Sequence, residues 1–138
     1  YKKEEPVCMK TIWTNGCFDI LHVGHIRMFE YAKSLGDVLT VGIDSDARIK
    51  ELKGPTRPIN NQDLRMEMLM SVKWIDRVVI FNCEQELEKL INKYSDTVVV
   101  GSDYRNKKVI GSQYADVVFF DRIRNQSTTK ILEKLDDA

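Results

Sequence analysis

KTIWTNGCFDILHVGHIRMFEYAKSLGDVLTVGI, residues 10–43, changes its hydrophobic period twice and reads as strand, turn, helix and strand. Residues 10–15 form a short apolar strand closing on Gly16, and residues 23–35 carry Ile26, Phe29 and Ala32 at helical spacing. Gly36 is the expected C-cap, and 38–43 is a near-continuous apolar run, as in a strand covered on both faces. Between the first strand and the helix lies Cys17-Phe18-Asp19-Ile20-Leu21-His22-Val23-Gly24-His25. Two imidazoles three residues apart therefore stand at a strand end beside a helix N-terminus. Amide N–H groups without helical partners and the positive end of the helix dipole favour an anion there, and two histidines add donors. His22 and His25 are the only histidines of the chain, and no cysteine or third-histidine cluster completes a ligand set nearby. A phosphate is thus favoured over a structural metal.

The same alternation continues. Asp44-Ser45-Asp46 caps a short helix running through Leu52, and residues 53–61 are a loop holding Gly54, Pro55 and Pro58. Residues 62–73 read as a helix started by Asn60 and Asp63, with Leu64, Met68 and Val72 as its buried face. Met66, Met68 and Met70 read as core filler. Strands are expected at 77–81, 97–100 and 117–120, a helix at 84–93, and a last helix at 127–135 with Ile131, Leu132 and Leu135 on its face. Strands separated by helices imply about five parallel strands, helices on both faces and right-handed crossovers. Ligands of such sheets sit beyond the C-terminal strand ends, near the switch in strand order. Four polar stretches fall there, 15–25, 44–46, 101–104 and 121–129, and so share one rim.

Composition removes several alternatives. The 138 residues are 43% hydrophobic and 30% charged, ordinary values for one globular domain, assigned here to 9–138 with 1–8 as a tail or linker. Lys plus Arg and Asp plus Glu both number 21, so a strongly basic nucleic-acid binder is disfavoured. No run of about eighteen apolar residues and no signal peptide is visible, so no membrane partner is expected. Cys8, Cys17 and Cys83 are odd in number and lack a C-x-x-C spacing, which suits reduced thiols in the cytoplasm. Cys17 has no extra base beside it in the sequence and reads as a small residue packed under the site rather than a nucleophile.

Other rim residues extend the phosphate reading. Ser127-Thr128-Thr129-Lys130 opens the final helix with hydroxyls and free N–H groups, though alone it would be read as an ordinary cap. Lys53-Gly54-Pro55-Thr56-Arg57-Pro58 is a rigid loop with two cations, and Arg65 lies in the next helix. Cations, a histidine pair and a hydroxyl cluster around one rim favour a polyphosphate.

His22-Val23-Gly24-His25 after a Gly-x-Phe-Asp turn, with Ser127-Thr128-Thr129 opening the last helix, resembles the small cytidylyltransferase-like nucleotidyltransferases. The resemblance covers residues 9–135 and implies a Rossmann-like, doubly wound α/β sheet. Thr14-Asn15-Gly16-Cys17-Phe18-Asp19-Ile20-Leu21-His22 and Leu52-Lys53-Gly54-x-x-Arg57-Pro58 look most like the heptose 1-phosphate adenylyltransferases, which make an ADP-sugar for the cell envelope. Glycerol-3-phosphate cytidylyltransferases are similar in the histidine motif, Arg65 and the Ser-Thr-Thr-Lys-Ile stretch. A nucleotide-binding module without turnover is the third reading.

The resemblance implies transfer of AMP from ATP (or CMP from CTP) to a small phosphorylated acceptor. Pyrophosphate leaves, Mg²⁺ accompanies the nucleotide, and no metal site is formed by the protein. It assigns His22, His25, Lys53 and Arg65 to catalysis. It places the nucleotide near Thr14, Asn15, Gly16, Cys17, Phe18, Gly24, Gly101, Asp103, Tyr104, Ser127, Thr128 and Thr129, and it suggests a homodimer. Gly101-Ser102-Asp103-Tyr104 matches the family's Gly-x-Asp-Tyr segment, yet a lysine-glycine pair usual in the adenylyltransferases is missing there. Arg122-Ile123-Arg124-Asn125-Gln126 is also more basic than that group's pattern.

Overall fold

The computed structural model describes residues 9–121. Its elements, in chain order, are β1 (Thr11–Gly16), α1 (Val23–Ser34), β2 (Val38–Asp44), α2 (Asp46–Lys53), α3 (Gln62–Met70), β3 (Arg77–Phe81), α4 (Glu84–Tyr94), β4 (Thr97–Gly101) and β5 (Asp116–Phe120). The strands form one parallel sheet in the order β3-β2-β1-β4-β5, so the doubly wound arrangement expected from the alternation is present. The expected helix at 127–135 lies outside the described residues.

Two apolar clusters cover the two faces. One joins Phe29 and Ala32 of α1 and Leu69 of α3 to Ile12, Leu39, Val41 and Ile43 of the sheet. The other joins Leu87 and Ile91 of α4 to Trp13, Phe81 and Val98. Each of these side chains larger than alanine contributes roughly 1.5–3 kcal/mol by leaving water. Gly42 is dictated by this packing, since a Cβ there would lie 2.4 Å from the Trp13 ring.

The switch in strand order falls between β1 and β4. β1 pairs with β2 along its whole length, from Thr11↔Val38 to Gly16↔Ile43. With β4 it pairs only at Ile12↔Thr97 and Trp13↔Val98. Beyond Trp13 the two strands therefore part, and their C-terminal ends bound a crevice of the kind in which doubly wound sheets take ligands.

Three local expectations are corrected. Gly36 is not a left-handed C-cap: α1 ends on Leu35 in right-handed geometry, and a Cβ at Gly36 would sit 2.8 Å from the Lys10 carbonyl and the Ile12 side chain. Close approach to β1, not a turn, requires this glycine.

α3 ends at Met70 rather than at 73, because Ser71 N–H and Val72 N–H bond to the Met68 and Leu69 carbonyls and tighten the last turn. Its buried face also differs. Leu64 and Met68 are 50% and 57% exposed, Met70 is exposed too, and Arg65 and Leu69 point inward, with Met66 and Val72 packed against the core. Apolar periodicity assigned the inward face to hydrophobic residues. A guanidinium that finds acceptors inside turns the helix the other way.

The tight turn after β1 falls on Phe18 (φ 49°). A left-handed non-glycine residue costs about 1–2 kcal/mol. The Phe18 ring offsets this by burial against Phe29 at 5.2 Å between centroids. It also lies 3.1 Å from where a Gly16 Cβ would stand, so Gly16 makes room for the folded-back ring.

Candidate active site

His22 is the N-cap of α1, with extended backbone (φ −138°, ψ 174°). Its Nδ1 accepts the Gly24 N–H at 3.1 Å, and its own N–H donates to His25 Nδ1 at 3.3 Å. The two imidazoles thus form a reciprocal capping box, a role usually held by a hydroxyl and a glutamate. They stack with centroids 3.7 Å apart and planes at 22°. The Phe18 ring supports His25 edge-on at 5.1 Å and 84°.

The cap has a chemical consequence. An Nδ1 that accepts an amide hydrogen carries no proton, so each neutral ring holds its proton on Nε2. Two Nε2–H donors are thereby fixed by the main chain of the helix they begin. They stand where the helix dipole is positive and beside the crevice between β1 and β4.

The loop from Lys53 to Asn60 is tied to the histidine turn by Asp19, whose side chain is fully buried. Asp19 Oδ1 accepts the Asn60 N–H at 2.8 Å; Oδ2 accepts the Ile59 N–H at 2.7 Å and Arg57 Nε–H at 3.3 Å. Asn60 Nδ2 donates back to the Asp19 carbonyl at 2.8 Å. Asp19 was legible in the Phe-Asp turn, but nothing in the sequence reveals its partners about forty residues away.

Arg65 has protein partners rather than an open face toward a phosphate. It is 1% exposed. Nη1 donates to the Cys17 and Asp44 carbonyls at 2.9 and 2.8 Å, Nε to the Asn60 carbonyl at 3.0 Å, and Nη2 to Asp46 Oδ1 at 2.8 Å. One guanidinium therefore joins the turn after β1, the end of β2, the start of α2 and the loop before α3.

Cys17 lies against Asp44, its Sγ 3.4 Å from Oδ2, while Arg48 Nε donates to Oδ1 of the same carboxylate at 2.8 Å. Burial, helped by the Asp44 charge, pushes the thiol up to about 11, and Lys53 and Arg65 pull weakly the other way. A thiol so held is protonated at neutral pH and is no nucleophile. The pull of Lys53 also places its ammonium within electrostatic reach of the Cys17 turn.

Other expected residues are distributed as follows. Thr14 is buried in β1, and Asn15 Oδ1 accepts the Trp13 indole N–H at 2.9 Å. Phe18 is a packing residue, so a nucleotide would meet its main chain rather than its ring. Gly101 ends β4 across the crevice, and Ser102–Tyr104 follow as a single 3-10 turn with Tyr104 exposed. Ser127, Thr128 and Thr129 lie outside the described residues. The structure thus brings His22, His25, Gly24, Gly16, Cys17, Lys53 and Arg65 to one side of the crevice and Gly101 to the other.

A cytidylyltransferase-like family model matches residues 13–133. The chain belongs to that family. Relatives include the bifunctional protein HldE of Campylobacter concisus, 44% identical over 130 residues, which cover 94% of this chain and 28% of that protein. The bifunctional protein HldE of Campylobacter jejuni is 46% identical over 129 residues, 93% of this chain and 28% of that one. The chain thus spans little more than a quarter of these relatives. Among solved structures, a lipopolysaccharide core biosynthesis protein from Thermoplasma volcanium superposes with TM-score 0.69 at 25% identity, over 83% of this chain and 98% of that one. A bifunctional NMN adenylyltransferase/ADP ribose pyrophosphatase from Francisella tularensis superposes with TM-score 0.70 at 19% identity, covering 94% and 43%, and supports the fold.

Proposed function

We propose that this domain is an adenylyltransferase that moves AMP from ATP to a sugar 1-phosphate such as a heptose 1-phosphate, releasing pyrophosphate. The observation that carries the reading is the double-histidine cap, which fixes both Nδ1 atoms as acceptors and so leaves Nε2 as the donor of each neutral ring, at the N-terminus of α1 after the end of β1. Similarity to the HldE proteins supports the sugar phosphate and the ATP.

In this reaction an acceptor phosphate oxygen attacks the α-phosphorus in line, a bond to that oxygen forms, and the bond to the pyrophosphate oxygen breaks. The attacking phosphate is already ionised, so no general base or covalent intermediate is required. His22 and His25 meet the charge that gathers on the α-phosphoryl oxygens, and preorganised donors of this kind act most strongly in the transition state. Lys53 holds the β- and γ-phosphates. Arg65 and Asp19 act as positioning residues, one locking the turn after β1 to α2 and α3, the other locking that turn to the Lys53 loop. Gly101, Asp103 and Tyr104 line the nucleotide side, with Ser127, Thr128 and Thr129 taking the phosphates.

Mg²⁺ arrives as part of the nucleotide substrate. Among the described residues no three His, Cys, Asp or Glu side chains gather to hold a metal. Asp19, Asp44 and Asp46 are engaged with main-chain N–H groups, Cys17 and arginines. No helix among the described residues is long and apolar enough to cross a membrane, and Cys17 and Cys83 are free thiols. The family resemblance is what supports our reading of a cytoplasmic homodimer.

Pyrophosphate release measured over four nucleoside triphosphates, sugar 1-phosphates and polyol phosphates tests the reading. Release with ATP and a sugar 1-phosphate is expected. Nucleotide binding with no release from any pair would reduce the domain to a binding module.

A further inference from the structure

The geometry points to Arg57 as the residue that binds the phosphate of the acceptor, a role that rests on the transfer reaction proposed above. Arg57 sits on the loop between α2 and α3, yet its side chain is only 13% exposed. Nε donates to Asp19 Oδ2 at 3.3 Å. Nη2 is buried and meets no hydrogen-bond acceptor among the described residues. A buried guanidinium N–H without an acceptor is costly, and such groups persist where a ligand supplies the missing oxygen.

The position of the loop is fixed independently of Arg57. Ile59 N–H and Asn60 N–H both bond to Asp19, Asn60 Nδ2 bonds to the Asp19 carbonyl, and Lys50 Nζ donates to the Arg57 carbonyl at 3.1 Å. The guanidinium is thus anchored at Nε, on a residue three positions before His22, while an outer nitrogen is left for a second acceptor. Arginine, unlike lysine, can hold a carboxylate on one edge and a phosphate on another because its donors are spread over a rigid plane.

The residues assigned to the other phosphates decide which one this is. The nucleotide is assigned to the β4 side of the switch point, around Gly101 to Tyr104. Arg57 comes from the opposite flank, from the segment that joins the helix after β2 to the helix before β3. Lys53 starts the same segment and is assigned to the β- and γ-phosphates, so the anion left for Arg57 Nη2 is the acceptor phosphate, which must meet the α-phosphorus beside the histidine turn.

Arg57→Ala and Arg57→Lys test this in two assays. In steady state, both variants should raise the acceptor KM about 10–100-fold, the range for one charge-assisted hydrogen bond, and leave the ATP KM within about twofold. Separately, inorganic phosphate is titrated by calorimetry into protein saturated with Mg²⁺ and a non-cleavable α,β-methylene analogue of ATP. Wild type should bind it, and the variants about tenfold or more weaker. Equal phosphate binding by wild type and variants, or a rise in ATP KM with the acceptor KM unchanged, would overturn the assignment. Absence of turnover by wild type with every sugar 1-phosphate would defeat the proposed reaction, while the phosphate titration would still decide the role of Arg57. Arg57→Lys keeps the charge and guards against a folding defect: normal melting with weak phosphate binding isolates the lost geometry.

Discussion

Arg65 Nη1 donates to the Cys17 carbonyl at 2.9 Å, so a helix 48 residues away holds the turn that ends in the histidine pair. The same guanidinium satisfies the Asp44 and Asn60 carbonyls and Asp46. Its loss strands three carbonyls and one carboxylate in or near the protein interior. Asp46 keeps about a third of its side chain in water, which softens its share.

Arg65→Ala is therefore expected to destabilise the domain by roughly 3–5 kcal/mol, the range for breaking a buried, hydrogen-bonded charge network. Chemical denaturation checks it. Any surviving folded protein should bind nucleoside triphosphate and monophosphate with similar weakening, because Arg65 shapes the turn rather than touching the outer phosphates. Selective loss of triphosphate binding with normal stability would instead restore a direct phosphate contact.

Lys53→Ala should behave in the opposite way. Lys53 ends α2 with an exposed side chain that lies within electrostatic reach of Cys17. Stability should change by less than about 0.5 kcal/mol, as for most surface substitutions. Triphosphate binding should weaken by about 1.5–3 kcal/mol and monophosphate binding much less. Calorimetry with both nucleotides reads the difference directly.

The contrast between these two cations shows where sequence reading stops. The order of elements was legible because apolar runs at 38–43 and 97–100 and helical spacing at 23–35 each have a period. The histidine pair was legible because its spacing and its place at a strand end are both local. Arg65 looked like another rim cation because burial of a charge depends on acceptors supplied from Cys17, Asp44 and Asn60, and no period encodes those. The orientation of α3, misread from Leu64 and Met68, has the same cause. Asp19 and Arg57 meet across 38 residues, and Gly36 answers to Ile12 across the sheet rather than to its own helix end.

The histidine cap gives a variant pair that separates structure from chemistry. His22→Ala removes both the cap acceptor and an Nε2–H, so it should cost about 1 kcal/mol in stability as well as 10²–10³ in rate, on the order seen for one lost oxyanion donor. His22→Ser retains a good cap acceptor and should melt near wild type while losing a similar factor in kcat. His25→Ala should match the rate loss. Melting curves set beside kcat at saturating ATP distinguish the cases; a His22→Ser enzyme with near-normal kcat would return His22 to a capping role alone.

Cys17 sets a pH limit. Its thiol is raised from 9.0 to about 11 by burial first and the Asp44 charge second. Below pH 9 the folded and unfolded chains both keep this proton, and stability does not depend on it. As pH rises from 9 toward 11, the unfolded thiol ionises while the folded one resists, so the folded state loses stability through that window. Denaturation midpoints at pH 8, 9, 10 and 11 should show this fall, and Cys17→Ala should lack the part due to this thiol. Alkylation of Cys17 at pH 8 should likewise be slow, read by peptide mapping.

Choice of nucleotide turns on the other side of the crevice. Motifs at 14–17 and 52–58 look like those of the heptose adenylyltransferases, and the chain is similar to the HldE proteins, yet neither stretch lies where the base is expected. We expect the base near the end of β4, where Gly101 is paired with Phe120 of β5 and the 3-10 turn of Ser102–Tyr104 follows. Main-chain groups discriminate adenine from cytosine by the placement of one donor and one acceptor, so a small loop shift could exchange them. Similarity to the HldE proteins favours ATP in our reading. Titration with ATP and CTP in the presence of Mg²⁺ should give tighter ATP binding, and product analysis should find AMP joined to a sugar 1-phosphate. Tighter CTP binding with CMP transfer to glycerol 3-phosphate would overturn the nucleotide assignment and leave His22, His25 and Lys53 in their places.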